Sequence, residues 1–242
     1  MYREYILCVR ATALIGLGVI LLFGYTNCSS SLSPTSGASS SSASACPAAD
    51  PLLSNPSTID QVVTLINSLP KPLSIDCFLA TLPKPMQVFA VNNAFSAQPS
   101  AGVESPRIFI LQPGLSLSVV PAGPGGNFLE LGQFVVGGQS VKAEIEFPIT
   151  ANLPVDLPYT RLLDTVGGTN CRFCHQREAP ISPGFAGPAF VSDVVKPDPF
   201  RRVTSANLRQ YALACDTSRE AYRCAMLRAI FVSGQGQDTD FP

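Results

Sequence analysis

Between Gln87 and Ile149 apolar residues recur at every second position, and this run constrains the fold more than any other feature of the 242-residue chain. Leu115-Ser-Leu-Ser-Val and Val141-Lys-Ala-Glu-Ile-Glu-Phe alternate apolar with polar side chains. Successive residues of a strand point to opposite faces, so the pattern predicts strands with one face in a core and the other wet. Strands are expected over 87–91, 107–111, 115–120, 127–136 and 140–148. Turns at Gln112-Pro-Gly, Ala122-Gly-Pro-Gly-Gly and Gly137-Gly138 part them. Strands at this spacing predict an antiparallel sandwich or meander. Glu144 and Glu146 lie two apart on one strand, and the alternation around them reads as a solvated strand face rather than an acid–base pair.

Helical spacing appears on both sides of this run. Ile59, Val62, Val63, Ile66 and Leu69 share a face, with Ser57 and Asp60 placed as a cap and Pro70 and Pro72 as a stop. Pro154 and Pro158 mark a boundary, and a short helix is expected over 159–166. The stretch 179–199 is rich in Pro and Gly and reads as a wrapping loop. Two further helices follow, capped by Ser205 and Ser218, the second ending at Gly234. The expected class is α+β. An antiparallel, sandwich-like β-rich domain with an N-terminal helix spans 46–155, and a small helical segment spans 156–242.

The helical segment carries Cys171-Arg172-Phe173-Cys174-His175, which holds the only histidine of the chain. C-x-x-C-H is the attachment signature of c-type haem. Positions i, i+3 and i+4 share one face of a helical turn, so two thiols can meet two vinyl groups while the imidazole reaches the iron. This segment resembles the haem-binding turn of the cytochrome c family. The resemblance implies one covalent haem c, linked through Cys171 and Cys174, with His175 as proximal iron ligand. That family commonly draws a sixth ligand from a downstream loop Met. Here the one downstream methionine, Met226, lies in an expected helix, so the sixth position falls to Met226, to an unusual group such as Lys196, or to nothing. Phe173, Phe185, Phe190 and Phe200 are candidates either for haem walls or for core. Other readings of the two cysteines are open. A thioredoxin-like pair would need a surrounding βαβ pattern, and a zinc site would need further ligands. A plain Cys171–Cys174 disulfide needs nothing more.

Arg3 and Arg10 precede an uncharged apolar run over 11–23, the layout of an export signal, shorter than the roughly 20 residues of a membrane span. A signal peptide is expected over 1–27 and a Ser-rich tether over 28–45. Cys28, where the apolar run gives way to serine, looks like the lipidated cysteine of a bacterial lipoprotein, although Tyr25 and Asn27 replace that class's usual Leu and small residue. The resemblance implies attachment to the membrane through a lipid anchor in the bacterial envelope. Ser29 stands where an Asp would retain such proteins at the inner membrane, so the outer membrane is expected. Ordinary cleavage or an uncleaved anchor are the alternatives. In an oxidising compartment Cys46, Cys77, Cys215 and Cys224 read as two disulfides. Chain proximity favours Cys46–Cys77 and Cys215–Cys224 among three possible pairings.

Charge is uneven. Residues 28–170 carry five Lys/Arg against nine Asp/Glu, whereas 171–230 carry nine against five. Neither block is basic enough for nucleic acid, and the second would steer an acidic redox partner protein. Three functions follow from the sequence. One is single-electron transfer by a mono-haem cytochrome-like lipoprotein. Another is a five-coordinate haem protein that binds a small ligand or reduces peroxide. The third is a non-haem surface lipoprotein in which Cys171–Cys174 is structural.

Overall fold

Thr58 opens the first helix: its backbone is extended, at φ −135° and ψ 159°, and its hydroxyl accepts from the Gln61 amide. Ser57, the expected cap, lies one residue too early and instead donates to the Gln61 side chain. The computed structural model describes residues 46–242; the signal region, Cys28 and the serine tether lie outside the described residues. Helix α1 (Ile59–Ser68) ends before Pro70, and a short α2 (Ile75–Ala80) follows.

Alternation then builds β1 (Gln87–Val91), β2 (Arg107–Gln112), β3 (Leu115–Val119), β4 (Phe128–Val135) and β5 (Gln139–Glu146). These pair as an antiparallel meander, with Leu117 opposite both Ile110 and Leu131. Beyond helix α3 (Leu157–Thr160), strands β6 (Ala179–Ile181) and β7 (Ala189–Asp193) rise from the Pro-rich stretch expected to be a loop. Strand β7 pairs with β5, and β8 (Gln237–Asp238) runs parallel to β1 at the far edge. The result is one eight-stranded sheet of order β6-β7-β5-β4-β3-β2-β1-β8 in an α+β fold. Three of its strands come from beyond Val155, so the C-terminal segment is built into the same sheet.

Helices α4 (Ser205–Ala214) and α5 (Ala221–Arg228) form a hairpin whose second arm continues as a π-helical turn, Ala229–Ser233. Thr204 rather than Ser205 caps α4, and Ser218 belongs to the turn, bonding Asp216 ahead of α5. The disulfides Cys46–Cys77 and Cys215–Cys224 tie the N-terminal residues to α2 and close the hairpin.

The core lies on one face of the sheet. Val88, Ile110, Leu117, Leu131, Val141 and Ile145 point into it and meet Ile59, Ile66, Phe78, Leu208, Met226 and Phe231 from the helices. Each such side chain contributes about 1.5–3 kcal/mol on full burial. Among the described residues no helix is long and apolar enough to cross a membrane.

The other face of the sheet is also covered. All five residues of β3 are buried, including Ser116 and Ser118, so the face expected to be wet is roofed over. The roof consists of the 93–97 loop, the Cys171–His175 turn, residues 194–198 and Phe241.

Candidate functional site

A single turn displays the three residues of the motif. Thr169 caps it, accepting from the Cys171 amide, and is itself gripped by Glu178 through both its amide and its hydroxyl. A short 3-10 helix over Asn170–Phe173 follows, and the amides of Cys174 and His175 both return to the Cys171 carbonyl, at 3.1 and 2.9 Å. The side chains of Cys171, Cys174 and His175 thereby meet one cavity.

His175 is oriented by the sheet edge. Its Nδ1 lies 2.8 Å from the carbonyl oxygen of Asp193 on β7. A carbonyl only accepts, so Nδ1 carries the proton and Nε2 keeps its lone pair. Asp193 is fixed in turn by a forked ion pair with Arg177, at 2.8 and 2.9 Å, which holds its carboxyl below the usual range. Burial, with Lys142 and Arg107 nearby, lowers the pKa of His175 and favours the neutral imidazole that metals require.

The cavity has a volume of about 430 Å³, within the roughly 300–1,000 Å³ of sites that take cofactor-sized ligands. Its floor is the polar face of the sheet. Arg107 donates to Ser96 and Ser118 and pairs with Glu130, while Ser118 donates to Gln98. Arg161 pairs with Glu144 and Glu146 near the rim. Glu144 is thus half-buried at the cavity, its pKa raised by desolvation, and the solvated-face expectation fails for it. Lys142 stands in the middle of the floor, and burial lowers its pKa to about 8. The apolar wall comes from Phe95, Phe109, Phe134 and Phe241. The Phe241 ring meets Phe89, Phe109 and Phe134 edge-on at 5.2–6.2 Å between centroids.

Several expected site residues lie elsewhere. Met226 is fully buried in the core, on the helix side of the sheet, and does not line the cavity. As a sixth ligand it is therefore misplaced: it belongs to the buried apolar cluster and not to the cavity that His175 lines. Phe173 is 81 % exposed and Phe200 96 % exposed, while Phe185 packs on Tyr159; none of these, nor Phe190, lines the cavity. Lys196 does line it, from the exposed rim. The residues sequence reasoning missed are Arg107, Glu130, Lys142 and Phe241. Their signal was the polar half of the strand alternation, read there as solvent-facing.

The chemistry of the donor set narrows what can bind. Cys171 and Cys174 are free thiols, whereas the other four described cysteines are bridged. Burial pushes the Cys171 thiol up to about 11, opposite to the lowered pKa of a redox-active C-x-x-C. Among the described residues the one trio of possible metal ligands within 4.8 Å is Cys46, Asp76 and Cys77, two of them joined as a disulfide. Cys171, Cys174 and His175 therefore do not converge on a shared ion. All three border the same cavity.

Comparisons with protein-family models, curated proteins and solved structures gave no match. The site thus has to be interpreted from its own geometry. Two free thiols and an imidazole with a free Nε2 border a pocket with aromatic walls, and this combination fits a covalent haem c.

Proposed function

We propose that this chain is an exported haem c protein that binds a small ligand at an exchangeable iron position. Cys171 and Cys174 carry the thioether links, and His175 Nε2 is the proximal ligand. One observation carries the choice of ligand binding. Among the residues around the cavity none is a methionine or a second histidine, and both internal methionines, Met86 and Met226, are buried in the core. The chain's part is to hold His175 in one tautomer through Asp193, to exclude bulk water with the Phe241 cluster, and to present the charged floor. The group supplies an iron centre able to bind ligands when attached. Export, the Cys28 lipid anchor and outer-membrane placement belong to the same proposal and rest on residues 1–45.

Single-electron transfer to an acidic protein is the second reading. What favours it is the exposure of the motif turn, where Arg172, Phe173 and Cys174 all face solvent.

Expression with a periplasmic haem-attachment system tests the proposal. A haem stain that survives denaturing electrophoresis and is lost in Cys171→Ala/Cys174→Ala is expected. Carbon monoxide should bind the reduced protein readily, and Met226→Ala should leave that binding unchanged. Haem that extracts freely into acid-acetone would refute covalent attachment. A low-spin spectrum resistant to carbon monoxide would move the function to electron transfer. Mass spectrometry of the mature N-terminus tests lipidation at Cys28.

A further inference from the structure

We infer that Lys142 and the dent beside it form an anion subsite on the cavity floor, so that the small ligand of this protein is an anion. The other charges around the cavity, Lys196 apart, are matched. Arg107 has Glu130, Arg161 has Glu144 and Glu146, and Asp198 has Arg201. Among the described residues Lys142 has no carboxylate within salt-bridge distance, and its hydrogen bond goes to the neutral hydroxyl of Ser140. An ammonium carries three donors, so two remain for whatever enters. Among the described residues Lys196 has no carboxylate partner either, but it is exposed to solvent rather than enclosed by the floor.

The floor leaves room at this point. Ser116, Gly132 and Lys142 stand opposite one another on β3, β4 and β5, in one row across the sheet. Gly132 is an interior strand glycine without a positive φ, so no turn requires it. A Cβ there would lie 3.8 Å from Lys142 Nζ and 4.0 Å from Ser116 Cβ, in ordinary contact, so the missing side chain leaves a dent rather than relieving a clash. A glycine inside a strand marks a place where a ligand comes close to the backbone. Ser192, opposite Ser140 in register and on the same face, keeps a buried hydroxyl without a partner in the same neighbourhood.

A half-buried cation with spare donors beside an open dent recognises a small, compact negative charge. The ligand's other contact, the iron, rests on the haem function proposed above.

Azide is the anionic probe and carbon monoxide the neutral one, each titrated by absorption against wild type, Lys142→Met, Lys142→Arg and Gly132→Ala. Azide should bind Lys142→Met at least about tenfold more weakly, as loss of a charge-assisted hydrogen bond requires. Lys142→Arg should keep part of the affinity, Gly132→Ala should lose some, and carbon monoxide should change less than about twofold in every variant. Unchanged azide affinity in Lys142→Met, or equal weakening of both probes, overturns the subsite. A second readout needs no haem: amine acylation at Lys142, followed by peptide mass spectrometry with and without azide. If the pyridine haemochrome spectrum shows no haem, the functional proposal fails by itself. Protection of Lys142 by azide would then still uphold the subsite, and lack of protection would end it.

Discussion

The two faces of the sheet share one alternation but differ in what covers them. On one face Leu117, Ile110 and Leu131 join a cluster of buried apolar side chains from the helices. On the other Ser116, Ser118, Lys142 and Glu130 meet a roof of loops that brings two thiols, an imidazole and aromatic rings. Both faces are covered, yet the first gains more stability from burial, because the second must also satisfy the polar groups it encloses. The core face is an investment in folding and the cavity face a site assembled at folding's expense.

The sharpest way to break this contrast is to truncate neighbours on one strand. Leu117→Ala, on the core face of β3, should cost about 2–5 kcal/mol, read as a fall in the denaturant midpoint. Ser116→Ala, one residue away on the cavity face, should stay within about 1 kcal/mol of wild type. Equal losses would mean that the cavity face is an ordinary core.

The helical layer behind the core is also the covalently braced one. Replacing Cys46 and Cys77 by Ala opens a loop of 31 residues, and chain-entropy models give about 2–4 kcal/mol for such closure. Thermal melts should fall accordingly, while the Cys171–His175 turn, carried on the other side by Glu178 and Asp193, should keep its carbon monoxide affinity. A parallel loss of that affinity would show that the two faces are coupled.

How much of this was legible in the sequence follows the same division. The bounds of β1 to β5 could be read within one or two residues, because alternation over five to eight positions and glycine turns leave little freedom. Strand β7 is hidden in the sequence, since Ala189-Phe-Val-Ser-Asp is short and sits among prolines; only its pairing with β5 and β6 makes it a strand. Strand β8, at two residues, has no periodicity to read. The cap at Thr58 was missed by one position because adjacent hydroxyls are equivalent in sequence and differ only in which one has extended backbone. The motif turn was legible because its spacing is local. The floor beneath it was not, because Arg107, Glu130 and Lys142 meet the motif only through sheet registry, and a polar strand face looks the same under water as under a roof.

Lys142 separates the faces by sign. Removing a buried side chain from the core destabilises, whereas removing this half-buried cation, which has no carboxylate partner among the described residues, should stabilise. Lys142→Met keeps the stem and drops the charge, and in the chain expressed without haem attachment it should gain about 1–3 kcal/mol. The gain would come together with the loss of azide binding, the trade between stability and function expected of a site residue. A loss of stability would show that the hydrogen bond to Ser140 outweighs the cost of enclosing the charge.

The smallest effect concerns pH and His175. In the fold its pKa is lowered, first by burial and then by Lys142 and Arg107, while the unfolded chain protonates near the ordinary value of about 6.5. Below that value the unfolded state takes up a proton that the folded state resists, so the unfolded state binds more protons and stability falls with pH. The contribution is fully present above about 6.5 and is lost as pH drops through the folded value. Glu144 works against it: its raised carboxyl pKa means that the fold binds a proton before the unfolded chain does, which favours the fold as pH falls toward the carboxylate range. The two cannot be separated in wild type alone. Melts of the haem-free chain from pH 7.5 to pH 5, compared with His175→Gln, isolate the imidazole, since Glu144 is common to both. Wild type should lose stability relative to the variant across that window. If the difference is flat, His175 is not held neutral by the roof, and the Asp193 carbonyl alone accounts for its orientation. If it runs the other way, the imidazole is charged in the fold and the cavity is more acidic than its lining implies.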